Sequence, residues 1–424
     1  MKRSRSSSVP AGRIAASLAL AASLAFAGCD DHGASAPPPG PAPAPQQPSA
    51  EGPDTSPQSP EPEPEPEVEP EPPPTVPTAE DGELWRTLGL SDIGPAGPAS
   101  AFAGGVVMVT KDNRLLVSRL SSRQNVDFSQ IEEPSGSFAR YGRGPAVLGK
   151  RAYWVNGSQL LRGALSGKQA EVLTTDARHS TRVSAGTLGK GARRRDAVIY
   201  VARTKLRADL EAKLWMDGFE TARLTPEGSA ASSVALIEDR GALLAVSLEG
   251  RTSMSPVHVR RVELKGEERV IGPDIVAWVG PPSQPLTEVM TLPAAGGGAL
   301  AFLTLERDVT HFGLALVHLE ERAATVPEAL WRAYPNGIDP APVATSNVCS
   351  RPAVLFAVPS TARPRAPQEL HLAYLAGRTL GSSQVIARSR AFSDVSIAAG
   401  SGRTAVVAWV ADHRTWALYL ECRG

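Results

Sequence analysis

The chain has 424 residues, 42% of them apolar and 21% charged, so it can enclose a large hydrophobic core and is not a disulfide-stapled mini-protein. Three cysteines, only one of them near the N-terminus, exclude a finger-type zinc cluster of thiolates. The formal charge of zero conceals a segregation: residues 30–83 hold 13 acidic and no basic side chains, whereas residues 84–424 hold 40 basic and 31 acidic ones.

The first residues have the pattern of an export signal. The apolar run Ile14–Phe26 has 13 residues, too few to span a membrane and remain there, and it follows four basic side chains: Lys2, Arg3, Arg5 and Arg13. The run ends in Phe26-Ala27-Gly28-Cys29, which resembles the lipobox of bacterial lipoproteins, with Phe26 where Leu is usual. The resemblance implies a signal peptide over residues 1–28, a lipid on Cys29 and attachment to a bacterial membrane in the cell envelope. The alternative is an ordinary signal peptide that leaves Cys29 free.

Residues 29–83 are predicted to be a disordered tether that begins at the lipidated cysteine. Residues 30–83 contain 18 of the 38 prolines, and Glu61 to Pro74 are almost exclusively Glu and Pro. Such a composition cannot bury enough apolar surface to order itself, and proline with like charges keeps it extended. We interpret it as a spacer, with electrostatic screening of the basic domain as the alternative.

Residues 84–424 contain a repeating pattern in which an apolar strand is followed by a more alternating strand. Successive repeats are separated by about 45 to 57 residues. Each has a continuous apolar strand, which we call the second strand of its repeat: Val106–Thr110, Ala152–Val155, Ala197–Arg203, Ala242–Glu249, Ala299–Glu306, Ala353–Val358 and Ala405–Ala411. A third, more alternating strand follows: Leu115–Leu120, Gln159–Leu165, Ala212–Gly218, Val257–Leu264, Leu314–Glu320, Glu369–Leu375 and Trp416–Cys422.

This repeat predicts an all-β fold, a seven-bladed β-propeller. A strand that is apolar on both faces must be covered on both faces, and neighbouring blades supply that cover. The seventh repeat lacks a fourth strand, so we expect Leu84–Leu88 to supply it and to close the ring. Two β-sandwiches are the alternative fold. Four tryptophans within the strands are expected to pack between blades: Trp154, Trp215, Trp409 and Trp416.

Cys349 ends the first strand of the sixth repeat, and Cys422 ends the third strand of the seventh. Those strand ends lie on one face of a propeller, and an exported protein meets an oxidising compartment, so the two cysteines could form a disulfide. The other possibility is two separate buried thiols.

No catalytic signature was found, since the sequence lacks a G-x-S-x-G elbow, an H-E-x-x-H pair, a P-loop and an EF-hand loop. It therefore indicates no catalytic residue, no cofactor and no metal site. The loops between second and third strands share one face, and loops on a rigid scaffold often carry function. We call this the predicted loop face, and its candidate binding residues are Arg203, Lys205, Arg207, Arg307, Asp308, His311, Asp412, His413 and Arg414.

These features favour a monomeric, non-enzymatic binding or scaffold module that is anchored to a membrane by its lipid. Its partner would be an envelope protein or an anionic polysaccharide, and not a nucleic acid. The chain resembles bacterial β-propeller lipoproteins in this architecture. The alternative function is an envelope glycan hydrolase or lyase that uses the same loop face, with Asp308/His311 and Asp412/His413 as acid–imidazole pairs.

Overall fold

A computed structural model describes part of the chain. It covers residues 77–110, 114–119, 125–129, 144–167, 169–178, 181–204, 210–226, 228–249, 256–278, 286–293, 299–308, 311–318, 328–333, 343–359, 367–376 and 379–423. The chain divides into two units, residues 1–69 and 70–424, and all described residues belong to the second. The predicted signal peptide, Cys29 and most of the predicted tether lie outside the described residues.

The described residues are nearly all β. They form seven antiparallel sheets, each built mainly from strands that follow one another in the chain. The first six are sheet I (Ala99–Phe102, Gly105–Val109, Leu115–Arg119, Asn125–Ser129), sheet II (Ala146–Leu148, Arg151–Asn156, Gln159–Ala164, Ala170–Thr174), sheet III (Ser184–Leu188, Arg195–Arg203, Leu210–Met216, Phe219–Arg223), sheet IV (Ala231–Asp239, Ala242–Glu249, Val257–Lys265, Glu268–Ile271), sheet V (Leu286–Pro293, Ala299–Asp308, His311–His318, Glu328–Ala333) and sheet VI (Val343–Val348, Arg351–Pro359, Gln368–Ala376, Thr379–Ser389).

Sheet VII contains Ser393–Ala399, Thr404–Ala411 and Arg414–Cys422, and its fourth strand is Trp85–Pro95 from the other end of the domain. Ile275–Trp278 adds to sheet IV beside its third strand. A single 3₁₀ turn, Gly191–Arg193, is the one helical element in the described part of the chain. The predicted second and third strands are confirmed, with ends that differ by a few residues.

The second strand of sheet III shows why these strands are apolar throughout. All six residues from Ala197 to Ala202 are fully buried. Ala197, Ile199 and Val201 pack in a cluster with residues of sheet IV. Val198, Tyr200 and Ala202 pack in another cluster with residues of sheet II. The strand is therefore sandwiched between two sheets, and each face buries its own set of side chains.

The arrangement of the sheets is propeller-like. The first strand of each sheet contacts the first strand of the next, from sheet I through sheet VII, and the first strand of sheet VII contacts that of sheet I. The core consists of separate apolar layers between successive sheets. Trp154, Trp215 and Trp409 lie buried in these layers, and Trp416 packs against the layer between sheets VI and VII.

First strands have one unpaired edge, and side chains from the neighbouring sheet bind its amides. The hydroxyl of Ser184 accepts from Leu236 N at 2.9 Å, and that of Ser233 accepts from Val289 N at 3.1 Å. Between sheets VII and I, the Ser396 hydroxyl accepts from Ala101 N at 2.9 Å. These bonds satisfy backbone N–H groups that would otherwise attract another strand.

The N-terminal strand of sheet VII hydrogen-bonds to Arg414–Cys422, with Trp85 opposite Cys422 and Pro95 opposite Arg414. The strand begins one residue later than predicted and continues seven residues beyond the predicted end at Leu88. Trp85 is 1% exposed, and its ring stacks on that of Tyr374 in sheet VI at 5.4 Å between centroids. This strand is therefore an integral part of the apolar layer between sheets VI and VII.

Ordered structure also precedes residue 84, within the stretch predicted to be tether. Thr78–Ala79 pairs with the fourth strand of sheet VI. Glu80 strengthens this attachment, since its carboxylate lies 2.6 Å from the Arg388 guanidinium and its amide donates to Ile386 O at 3.0 Å. In this acidic segment, Thr78–Ala79 therefore find a strand edge and Glu80 finds a cation.

The structure pairs Cys349 with Cys422, and their Cα atoms are 6.5 Å apart. Cys349 lies in the turn after the first strand of sheet VI, and Cys422 ends the third strand of sheet VII. The bond therefore links two neighbouring sheets. No helix in the described part of the chain has the length and apolar character needed to cross a membrane.

Replacing Trp85 by alanine tests how much the N-terminal strand contributes to stability. Trp85→Ala removes a fully buried ring and should lower the free energy of unfolding by about 3–5 kcal/mol. Thermal unfolding followed by circular dichroism measures the change. Leu88→Ala, on the same strand but 48% exposed, is the matched control and should leave the melting temperature nearly unchanged. Equal melting temperatures for Trp85→Ala and wild type would contradict the role assigned to this strand.

Candidate functional site

The predicted loop face is in part occupied by internal contacts. Arg203 is exposed at the end of the second strand of sheet III. Arg414, in contrast, binds Asp92 of the N-terminal strand, with Nη2 2.6 Å and Nε 2.9 Å from Oδ2. Asp412 and His413 have φ angles of 48° and 61°, as the central residues of a tight hairpin turn require. These three residues hold the hairpin and the N-terminal strand together.

The remaining candidates of this face are described less completely. Asp308 and His311 lie opposite each other at the junction of the second and third strands of sheet V, and Arg307 precedes Asp308. Lys205 and Arg207 lie outside the described residues. The described backbone therefore places an acid–imidazole pair at corresponding junctions of sheets V and VII.

A charged residue also joins the inner strands near this end of the sheets. Arg182, just before sheet III, has Nε 3.4 Å from a carboxylate oxygen of Glu288 in sheet V. Its Nη2 donates to Val395 O of sheet VII at 3.4 Å. The guanidinium thus contacts sheets V and VII and links both of them to the chain that enters sheet III. Because Glu288 compensates its charge, Arg182 is not a free cation for a ligand.

Asp394 performs a similar task between sheets VII, I and II. One carboxylate oxygen accepts from Ala99 N at 2.6 Å, and the other accepts from Gly144 N at 3.1 Å. Its own φ is 47°, which is unfavourable for a residue with a Cβ and is tolerated where surrounding contacts enforce it. The polar groups at this end are therefore largely committed to holding first strands together.

Uncompensated positive charge lies at the opposite strand ends, in the turn between the first and second strands of sheet III. We call residues 189–195 the basic turn. It carries four cations, of which Lys190, Arg193 and Arg194 are exposed and Arg195 is half-buried. Within the described part of the chain, none of these four side chains has a hydrogen bond or an ion pair. The basic turn is thus available to an external anion.

Glycines give the basic turn its shape. Gly189 has a φ of 88°, and a Cβ there would lie 2.4 Å from Arg193 O. Gly191 has a φ of 55° and opens the 3₁₀ turn Gly191–Arg193. Only glycine adopts these conformations readily, so the backbone can fold tightly and bring the following arginines together.

A cleft of about 200 Å³ lies beside the basic turn, between sheets III and IV. We call it the basic cleft, and its lining residues are Arg193, Arg195, Gly218, Phe219, Leu264 and Gly266, with one carboxylate from Glu267. The Arg269 guanidinium lies over the Phe219 ring at 5.5 Å. Arg269 also donates to Glu220 O at 2.6 Å, so the ring has a fixed neighbour.

Sequence reasoning missed this cleft, although a signal was present. Four cations within six residues, Lys190 to Arg195, stand between two apolar strands of a fold in which such turns are usually short and uncharged. The predicted loop face lies at the other strand ends, because its loops share one face and loops on a rigid scaffold often carry function. Phe219 and Leu264 carry no local signal, since strand pairing within sheet III brings Phe219 near the turn and the packing of sheet IV on sheet III brings Leu264 there.

A third arrangement involves a serine, a histidine and a glutamate on the outer strands of sheet VI. The Ser383 hydroxyl is 3.2 Å from His371 Nδ1, and Glu369 Oε2 is 3.2 Å from His371 Nε2. Burial, ahead of the opposing hydrogen bond with Glu369, lowers the pKa of His371, so the ring is neutral at pH 7. A neutral imidazole between a hydroxyl and a carboxylate can act as a general base.

In the part of the chain that the structure describes, no group of three His, Cys, Asp or Glu side chains is arranged to hold a metal ion.

No protein-family model matches the chain. No curated protein sequence matches it either. Solved structures do resemble it. A protein of unknown function from Dyadobacter fermentans has 10% identity over 80% of this chain and 99% of its own, with a TM-score of 0.46.

Two further solved structures are similarly distant. A puromycin-hydrolysing peptidase from Mycobacterium tuberculosis has 13% identity over 80% of this chain, which spans 56% of the peptidase, with a TM-score of 0.45. The six-bladed, fucose-recognising propeller lectin of Aleuria aurantia has 11% identity over 80% of this chain and 95% of its own, with a TM-score of 0.37. Because these identities and TM-scores are low, the fold of this chain is assigned from its own strand pairing.

Proposed function

We propose that the protein is a lipid-anchored, non-enzymatic binding module of the bacterial cell envelope, which holds an anionic glycan at the basic turn. The observation that carries the proposal is the set of four cationic side chains, Lys190, Arg193, Arg194 and Arg195, that have no partner in the described structure. The scaffold would be a seven-bladed β-propeller closed by its N-terminal strand.

Two observations support the closed seven-bladed form. First strands contact one another in an unbroken cycle through sheets I to VII. The strand Trp85–Pro95 completes sheet VII and thereby covers an edge that would otherwise attract another chain. In such a ring every sheet has two neighbours, which agrees with the complete burial of the second strand in sheet III.

Electrostatics favours a polyanion as the ligand of the basic turn. Four like charges within six residues repel one another, and an anionic polymer relieves that repulsion at several points at once. Elsewhere on the described surface, arginines such as Arg414 and Arg388 are bound to carboxylates. The contrast indicates that the cations of the basic turn do not serve the fold.

The lipid anchor and the envelope location rest on the leader sequence and Cys29. A lipid on Cys29 followed by an extended, proline-rich tether would hold the domain near the membrane while leaving it free to reach a glycan. An exported protein does not meet chromosomal DNA, so an envelope glycan is the fitting polyanion. We propose that the domain acts as a monomer.

Binding to a carboxylated glycan tests the role of the basic turn. Polygalacturonate should bind, neutral dextran should not, and the dissociation constant should rise between 50 and 300 mM salt because exposed charges are screened. Arg193→Ala/Arg194→Ala should weaken binding about tenfold, from roughly 0.5–1 kcal/mol per exposed contact. Isothermal titration calorimetry measures both effects.

The matched control is Arg203→Ala/Arg390→Ala, which removes two exposed arginines far from the basic turn along the chain and should leave polygalacturonate affinity within twofold of wild type. Both double variants should keep the wild-type melting temperature, because neither pair supports the fold. Salt-independent binding, or an equal loss of affinity in the two double variants, would exclude the basic turn as the site.

Metabolic labelling tests the anchor. Radiolabelled palmitate should be incorporated into the full chain expressed with its leader in a bacterium, and Cys29→Ala should abolish the label. Cys349→Ser serves as the control and should keep the label, since that cysteine is paired inside the domain. Undiminished labelling of Cys29→Ala would contradict lipidation at Cys29.

The alternative function is an envelope glycan hydrolase or lyase. The sequence places it on the predicted loop face, while the structure offers a different observation in its favour, the hydrogen-bonded series Ser383, His371 and Glu369. That series would act on an ester group of the glycan, with Ser383 as nucleophile and His371 as base.

A fluorophosphonate probe tests this alternative. If Ser383 is nucleophilic, its oxygen attacks phosphorus, fluoride leaves, and the hydroxyl proton passes to His371. Labelling should then appear on wild type and disappear in Ser383→Ala and His371→Gln, whereas the exposed neighbour variant Ser382→Ala should still be labelled. Mass spectrometry locates the adduct. We expect no adduct on Ser383, as the binding-module function requires.

A further inference from the structure

The basic cleft points to a more specific ligand. We infer that it binds a phosphate monoester carried by a sugar, an inference that rests on the function proposed for the basic turn. The cleft has a volume of about 200 Å³, or roughly seven times the volume of a water molecule in the liquid. It therefore has room for one charged group with an adjoining ring.

The cations of the cleft suit phosphate. Arg193 and Arg195 both line it, and neither guanidinium has a partner in the described residues. Each guanidinium can donate two parallel hydrogen bonds to an oxyanion. A phosphate monoester offers three terminal oxygens around a tetrahedral phosphorus, so two arginines can each bind a different pair of oxygens, whereas on a carboxylate they must share the same two oxygens.

The net charge of the basic cleft also favours a phosphate monoester over a carboxylate. Glu267 contributes one negative charge to the lining, against the positive charges of Arg193 and Arg195. A phosphate monoester carries a charge of about −1.5 to −2 at pH 7. It therefore gains more from the two guanidinium groups than a carboxylate does, while Glu267 repels both kinds of anion.

The apolar part of the cleft indicates what the phosphate is attached to. Phe219 and Leu264 lie beside the arginines, and the Phe219 ring is held by the Arg269 guanidinium. An aromatic ring binds the C–H face of a sugar, which buries apolar surface while the hydroxyl groups stay in water. Free phosphate has no such face, so Phe219 and Leu264 would add nothing to its affinity.

The experiment compares four ligands on the full-length protein by isothermal titration calorimetry: glucose 1-phosphate, inorganic phosphate, glucose and polygalacturonate. Glucose 1-phosphate should bind at least tenfold more tightly than inorganic phosphate or glucose. Arg195→Ala should weaken glucose 1-phosphate at least tenfold. Arg390→Ala, which removes an exposed arginine outside the basic turn, is the matched control and should change it less than twofold.

Phe219→Ala separates the sugar from the phosphate. This variant should reduce the affinity for glucose 1-phosphate to that for inorganic phosphate, while a melting temperature near that of wild type shows that the fold is intact. If Phe219→Ala unfolds the domain, Phe219→Leu, which keeps an apolar side chain but no ring, should give a partial loss in the same direction.

The outcomes distinguish this inference from the proposed function. Binding of polygalacturonate without preferential binding of glucose 1-phosphate would overturn the inference and leave the anionic-glycan function in place. Equal affinities for inorganic phosphate and glucose 1-phosphate would overturn the sugar half of the inference. If neither glucose 1-phosphate nor polygalacturonate binds, both the inference and the proposed function fail.

Discussion

The unpaired edge of each first strand is the constraint on which this structure depends. A row of free amides at the inner edge of a sheet invites another strand, and that strand would prevent seven sheets from packing around one another. Here side chains of the neighbouring sheet bind the amides: Ser184 on Leu236, Ser233 on Val289, Ser396 on Ala101 and Asp394 on Ala99. Short polar residues thus replace a fifth strand, and they leave the apolar layers between sheets undisturbed.

The same constraint explains which charged side chains have no partner within the described structure. Near one set of strand ends, Arg182 and Asp394 are bound to Glu288 and to backbone groups, and Arg414 is bound to Asp92. Polar groups there hold the first strands and the N-terminal strand in place. The basic turn lies at the other strand ends. Its cations are not needed to hold strands in place, because Leu188 and Arg195 on either side of the turn already pair within sheet III. Its cations are therefore free to meet a ligand.

The strands could be predicted from the sequence because a strand covered on both faces must be apolar at every position, as Ala197 to Ala202 are. Trp85 was predictable for a related reason, since a strand missing from the last repeat has to come from elsewhere. Contacts between side chains far apart in the chain, such as Arg182 with Glu288, leave no local pattern. The basic cleft depends on such contacts, because Leu264 of sheet IV reaches Arg195 of sheet III only through the packing of the two sheets.

Sheet VII has a consequence for how the domain is made. Asp92 and Arg414, which form an ion pair across its outer strands, are separated by 322 positions in the chain. During synthesis the strand Trp85–Pro95 is made long before its partner Arg414–Cys422, and its hydrogen-bonding groups and the indole of Trp85 remain uncovered throughout that interval. Contacts of such long range slow folding and prolong exposure to aggregation. The nascent chain is therefore most prone to aggregate before Arg414–Cys422 is synthesised, and a holding chaperone would protect it best at that stage.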